Sequence, residues 1–152
     1  MVMAVVLKTT GIKPLEVRLL CPPQFCCTIS MKIVVTHSSG FNFRDELYKP
    51  IRASLLNTEH NFLLPQEKER GRITKEIIKN ADLVFAEVSY PSTGQGIELG
   101  WANIFNTPIV CFYKTSMKIS SALKYVTNNL IEYADEKNLI EKLDTFLRGF
   151  KE

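Results

Sequence analysis

The stretch Ala81-Asp-Leu-Val-Phe-Ala-Glu-Val-Ser-Tyr-Pro-Ser-Thr-Gly-Gln-Gly-Ile-Glu-Leu-Gly-Trp-Ala102 carries three kinds of local order in 22 residues. Residues 83–88 are a short apolar run, the length of a strand buried on both faces. Residues 89–96 are Ser, Pro, Thr, Gly and other small or polar types, the composition of a loop. From 96 to 105 the chain has helix length, and 108–113 (Pro-Ile-Val-Cys-Phe-Tyr) is a second apolar run. A strand, a helix and a strand joined by short connections form a parallel βαβ unit, because the helix carries the chain back to the end where the first strand began.

The same alternation extends outward. Residues 32–36 (Lys-Ile-Val-Val-Thr) read as a first strand and 61–64, closed by Pro65, as a second. Between them, 43–56 place Leu47, Tyr48, Ile51 and Leu55 near helical spacing, with Pro50 expected to kink or break the helix. Residues 72–80 carry Ile73, Ile77 and Ile78 on one helical face. After 113, helices over 120–128 and 136–150 flank a short strand at 130–133. Five strands interleaved with helices predict an α/β fold: a flavodoxin-like, doubly wound, five-stranded parallel sheet of order 2-1-3-4-5, with helices on both faces.

At 152 residues the chain is one domain's worth, with 45% hydrophobic and 23% charged residues. The net charge of +3 is too small for a nucleic-acid footprint, so no nucleic-acid polymer is expected as partner. No run approaches the roughly 18 apolar residues of a membrane-spanning helix. Cys21, Cys26 and Cys27 crowd into residues 1–30 beside Pro22 and Pro23, with no second ligand pair to complete a zinc site. Residues 1–30 lack a clean period and are expected to be a poorly ordered extension of a domain spanning 31–152. Cysteine usage suits a reduced, cytoplasmic protein.

In a sheet of this order ligands bind beyond the carboxyl ends of strands one and three, where the order reverses. Two loops meet there: 37–42, with His37, Ser38, Ser39 and Gly40, and 89–96, with Ser92, Thr93, Gly94 and Gly96. Glycines let a backbone approach a ligand closely, and free N–H groups at a helix start favour an anion. Ser92 or Thr93 could equally do no more than cap the helix. Glu98, read as a first-turn residue, would be kept ionised by the helix dipole and could attack an acetal-like carbon. Glu67, after the second strand, is a possible second carboxylate. Glu87 would fix the loop after its strand, and Cys111 reads as core. Neither a metal nor a cofactor is called for.

The 81–102 stretch resembles the nucleoside 2-deoxyribosyltransferase superfamily, and within it the 2'-deoxynucleoside 5'-phosphate N-hydrolases. Both have a strand ending in A-E-V-[ST], then P-S-x-G-x-G-x-E-L-G and a helix. The resemblance implies that Glu98 is a nucleophile toward C1' of a deoxynucleotide sugar, forming a glycosyl-enzyme resolved by water, or by a second base in the transferases. It implies that Ser92 and Gly94 hold the 5'-phosphate, and that Ser121 reaches the site across a homodimer interface. A deoxynucleotide or deoxynucleoside is the implied substrate. The family usually carries an aspartate where this chain has Thr74, which leaves Glu67 or Glu76 to supply a second carboxylate. The first loop has Ser38-Ser-Gly-Phe-Asn-Phe43 in place of the hydrolases' Arg-Gly-Gly, with Arg44 next to it.

Overall fold

The computed structural model describes residues 29–67 and 73–150. The extension expected over 1–30 lies outside the described residues except for Ile29 and Ser30, as does Arg72 at the expected start of the third helix.

Five strands form one parallel sheet: β1 (Lys32–His37), β2 (Asn61–Leu63), β3 (Leu83–Glu87), β4 (Ile109–Lys114) and β5 (Leu130–Tyr133), in the order β2-β1-β3-β4-β5. Every adjacent pair is parallel, with Ile33 opposite Leu83 and His37 opposite Glu87. The expected order therefore holds. All five residues of β3 are buried: the four apolar ones, residues 83–86, as a strand covered on both faces requires, and Glu87 at its end.

Side chains alternate between two cores. One face carries Ile33, Val35, Phe85, Val110 and Phe112 beneath α1 (Lys49–Ala53), α2 (Leu56–Glu59) and α5 (Glu136–Gly149), which contributes Leu139, Leu143 and Leu147. Phe85 and Phe112 meet edge to face at 5.0 Å. The other face packs Val84, Ala86, Ile109 and Cys111 under α3 (Lys75–Lys79) and α4 (Thr93–Ile104).

Several helices differ from expectation. The 43–56 segment is a π-helical turn, Arg44–Tyr48, running into α1, and Pro50, the second residue of α1, does not break it. The break comes later, at Ser54 and Leu55, before α2. Residues 120–128 form only a short 3₁₀ turn, Ser121–Tyr125, so the β4–β5 crossover lacks a full helix. The fourth helix begins at Thr93, three residues earlier than expected at Gly96, and ends on a Schellman turn. There Asn106 takes φ 55°, Thr107 N–H donates to Ala102 O and Asn106 N–H to Asn103 O.

Candidate active site

The carboxyl ends of β1 and β3 lie side by side, and α4 starts above them. Gln95 anchors that start: its buried side-chain amide donates to Thr36 O at 3.1 Å and to Glu87 O at 2.7 Å. These bonds hold a glycine-containing first turn against the sheet, although Gly94 and Gly96 each weaken a helix intrinsically. Ser92 is the N-cap, its hydroxyl accepting from Gln95 N–H at 3.4 Å. The capping alternative for Ser92 is thus realised, which does not prevent a ligand from approaching the same helix end.

Starting α4 at Thr93 moves Glu98 into its second turn, beyond the free N–H groups of the first. The dipole argument for an ionised carboxylate therefore fails. Half-buried Glu98 is instead dominated by desolvation, which pushes its pKa up to about 7. Residues two apart on a helix point about 200° away from each other, whereas residues four apart share a side. Gly94 and Glu98 accordingly lie on one flank of α4, and Ser92 and Gly96 on the other. The second flank borders a crevice of about 460 Å³ with Tyr90 and Leu99 on the same wall and Ser120 and Leu123 across from them. Glu98 is not among its lining residues.

Around β1 the structure builds a polar relay. His37 closes the strand with its ring buried and stacked on Phe43 at 4.3 Å. Its Nδ1–H donates to Ser38 O at 2.8 Å, so Nε2 accepts the hydroxyl proton of Tyr48 at 2.6 Å, and Tyr48 Oη in turn accepts from Gln66 N–H at 3.2 Å. Burial lowers the His37 pKa, against the raising effect of the Ser38 bond, which favours this neutral tautomer. Burial, with lesser contributions from the negative charges of Glu67 and Glu98, pushes Tyr48 up to about 12. Both carboxylates are therefore within electrostatic reach of this hydroxyl. Ser38 is buried and accepts from Gly40 N–H at 3.1 Å, while Ser39 and Gly40 are exposed at the loop tip.

The other expected residues are more scattered. Glu67 is held by Arg52 through a two-point pair at 2.8 and 2.6 Å. Glu76 is exposed in the first turn of α3, its pKa lowered by its own backbone N–H and by the Thr74 hydroxyl. Thr74 caps that helix, accepting from Ile77 N–H. Ser121 is exposed at the start of the 3₁₀ turn, beside Ser120. Among the described residues no three His, Cys, Asp or Glu side chains converge as metal ligands, and no helix is long and apolar enough to cross a membrane.

Glu87 does fix the loop after β3, and more besides. It is fully buried, and its Oε1 accepts from the Ser89 hydroxyl, from Ser89 N–H at 3.3 Å and from Tyr133 Oη–H at 3.1 Å. Tyr48, Gln95, Tyr133 and Lys114 all act at this end of the sheet, and none was singled out from the sequence as a site residue. Their partners lie far away in sequence, and only a buried-polar pattern such as Glu87 at the end of an apolar strand gives a local signal.

No protein-family model matches the chain. Two curated relatives carry the name "Putative 2'-deoxynucleoside 5'-phosphate N-hydrolase 1". The one from Thermofilum pendens is 30% identical over 93 residues, covering 53% of this chain and 65% of the relative. The one from Methanosarcina mazei is 28% identical over 94 residues, covering 55% and 58%. The match thus spans less than two thirds of either relative. Among solved structures, the CMP N-glycosidase BcmB of Clostridium botulinum superposes with TM-score 0.56 at 22% identity, over 74% of this chain and 98% of that one, a likeness of fold. Over these stretches the chain is similar in sequence to proteins named 2'-deoxynucleoside 5'-phosphate N-hydrolases, and it shares the fold of the CMP N-glycosidase.

Proposed function

We propose that this protein cleaves the N-glycosidic bond of a 2'-deoxynucleoside 5'-monophosphate, with Glu98 as nucleophile. The observation that carries the reading is half-buried Glu98 one helical turn beyond Gly94, on the same flank of α4. The 5'-phosphate would lie at the start of α4, where N–H groups are free and a Cβ at Gly94 would meet only the Ser92 hydroxyl, at 3.9 Å. One turn rises about 5.4 Å, a span that suits a phosphate at one end and an anomeric carbon at the other.

In the first step a Glu98 oxygen bonds to C1', the C1'–N bond breaks with its electron pair leaving on the base, and the base takes up a proton. In the second step water attacks C1', the ester bond returns its electrons to Glu98, and the water's proton balances the one taken by the base. The products are free base and 2-deoxyribose 5-phosphate, with configuration retained. Transfer to a second base is the alternative resolution of the same intermediate. A second copy of the chain would bring Ser121 to the phosphate; Ile97 and Ile104, on one side of α4 and 51% and 72% exposed, support such a homodimer.

Incubating the protein with a panel of deoxynucleoside monophosphates, with and without a second base, tests the reading. Free base with sugar phosphate means hydrolysis, a new nucleotide means transfer, and no change on any substrate refutes both. One observation favours a non-catalytic nucleotide-binding module instead: Thr74 spends its hydroxyl capping α3 at the position where an acid is expected. Nucleotide binding without turnover, unaltered in Glu98→Ala, would establish that second reading.

A further inference from the structure

Phe41, in the loop after β1, and Tyr90, in the loop after β3, stack on one another across the switch point with ring centroids 5.0 Å apart and planes 13° from parallel. Gly40 lies where the two loops meet: a Cβ there would press on the Ser38 hydroxyl of its own loop at 3.3 Å and touch Tyr90 Cβ at an ordinary 3.9 Å. The Lys114 ammonium lies 5.6 Å from the Phe41 centroid and 5.7 Å from that of Tyr90, and is itself paired with Glu46. Both rings remain partly exposed. Tyr90 belongs to neither apolar core, Phe41 only borders one, and Tyr90 also forms part of the wall of the 460 Å³ crevice. Core packing thus does not account for the pair. Two parallel rings on separate loops, under a fixed cation and open to solvent, make a surface suited to a flat aromatic molecule.

We propose that Phe41 and Tyr90 form the platform on which the heterocyclic base of the substrate stacks, making them specificity-determining residues. The inference rests on the deoxynucleotide reading and deepens it: these rings lie in the loops flanking the phosphate-binding turn and would recognise the π-face of a base, while leaving the sugar phosphate to α4. Stacking of this kind tolerates different bases, because each presents a π-face.

The test uses the full chain in a Glu98→Gln background, so that no ligand is consumed, and measures binding of deoxynucleoside monophosphates and of 2-deoxyribose 5-phosphate. Tyr90→Ala is expected to weaken the nucleotides about tenfold, the size of losing one base–aromatic stack, and to leave the base-free sugar phosphate unchanged. Tyr90→Phe should restore nucleotide affinity. Phe41→Leu, which keeps apolar volume beside the core, should reproduce the nucleotide-selective loss. Equal weakening of both ligands, or no weakening of the nucleotides, overturns the inference. Absence of all nucleotide binding before Tyr90 is altered would refute the deoxynucleotide reading itself, a result distinct from either.

Discussion

The Tyr133 hydroxyl donates to Oε1 of Glu87 across 3.1 Å, tying the end of β5 to the end of β3 over the intervening β4. Ser89 adds its hydroxyl and N–H to the same oxygen, and that hydroxyl also accepts from Lys114 N–H at 2.8 Å. Oε2 has no partner among the described residues. Burial raises the pKa of Glu87 against the lowering effect of these bonds, so the group resists ionisation. This one buried carboxyl thereby ties three strand ends together beneath the candidate site.

Replacing that acid separates its shape from its charge. Glu87→Ala strands two buried hydroxyls and should cost about 2–4 kcal/mol. Glu87→Gln keeps an acceptor at Oε1 and should cost less than half as much. Urea unfolding of both variants checks this, and equal losses would mean that the ionised form is the one stabilised.

Glu98 must be ionised to attack C1', yet burial pushes its pKa up to about 7. Activity should therefore rise with pH along a limb with its midpoint near 7 and level off above it. Glu98→Gln should abolish turnover while nucleotide still binds. A pH–rate profile flat from 5 to 8 would be incompatible with this role.

The same shift makes stability depend on pH. The folded protein holds the Glu98 proton up to about 7, whereas the unfolded chain releases it near 4.5. The stabilising contribution is thus fully present below about 4.5 and is lost as pH rises through 7, amounting to at most about 3 kcal/mol. Glu98→Gln cannot ionise, so its stability relative to the native chain should climb across that window. Denaturant midpoints at pH 4.5, 6 and 8 would reveal it.

Ser92 has two readings that a single substitution can separate. Loss of the cap in Ser92→Ala should cost about 1 kcal/mol of stability. If the hydroxyl also meets the phosphate, the variant should lose affinity for a deoxynucleotide but not for the matching deoxynucleoside. Calorimetric titration with both ligands decides.

Tyr48→Phe should leave His37 Nε2 and Gln66 N–H without the bonds seen at 2.6 and 3.2 Å. A loss of about 1–3 kcal/mol is expected. The ring nitrogens of His37, followed by NMR, should report the change through a shift in tautomer balance.

The sheet and its order were legible before any coordinates because a strand covered on both faces has to be apolar at every position, as in Leu83-Val-Phe-Ala86, and because helix-length spacers permit only parallel crossovers. Strand order alone also set where a site was to be expected, beyond the carboxyl ends of β1 and β3. The start of α4 was not legible: Thr93, Gly94 and Gly96 are poor helix formers, and it is the Gln95 amide, bonded to Thr36 and Glu87, that commits them to a helix. That shift of three residues carried Glu98 out of the first turn, and burial gives its pKa an upward displacement where a downward one was expected. Local spacing encodes which residues are able to share a helix flank. Burial, the partnership of His37 with Tyr48, and the meeting of Phe41 with Tyr90 depend on which distant segments exclude water from one another, and that arises only when the chain has closed on itself.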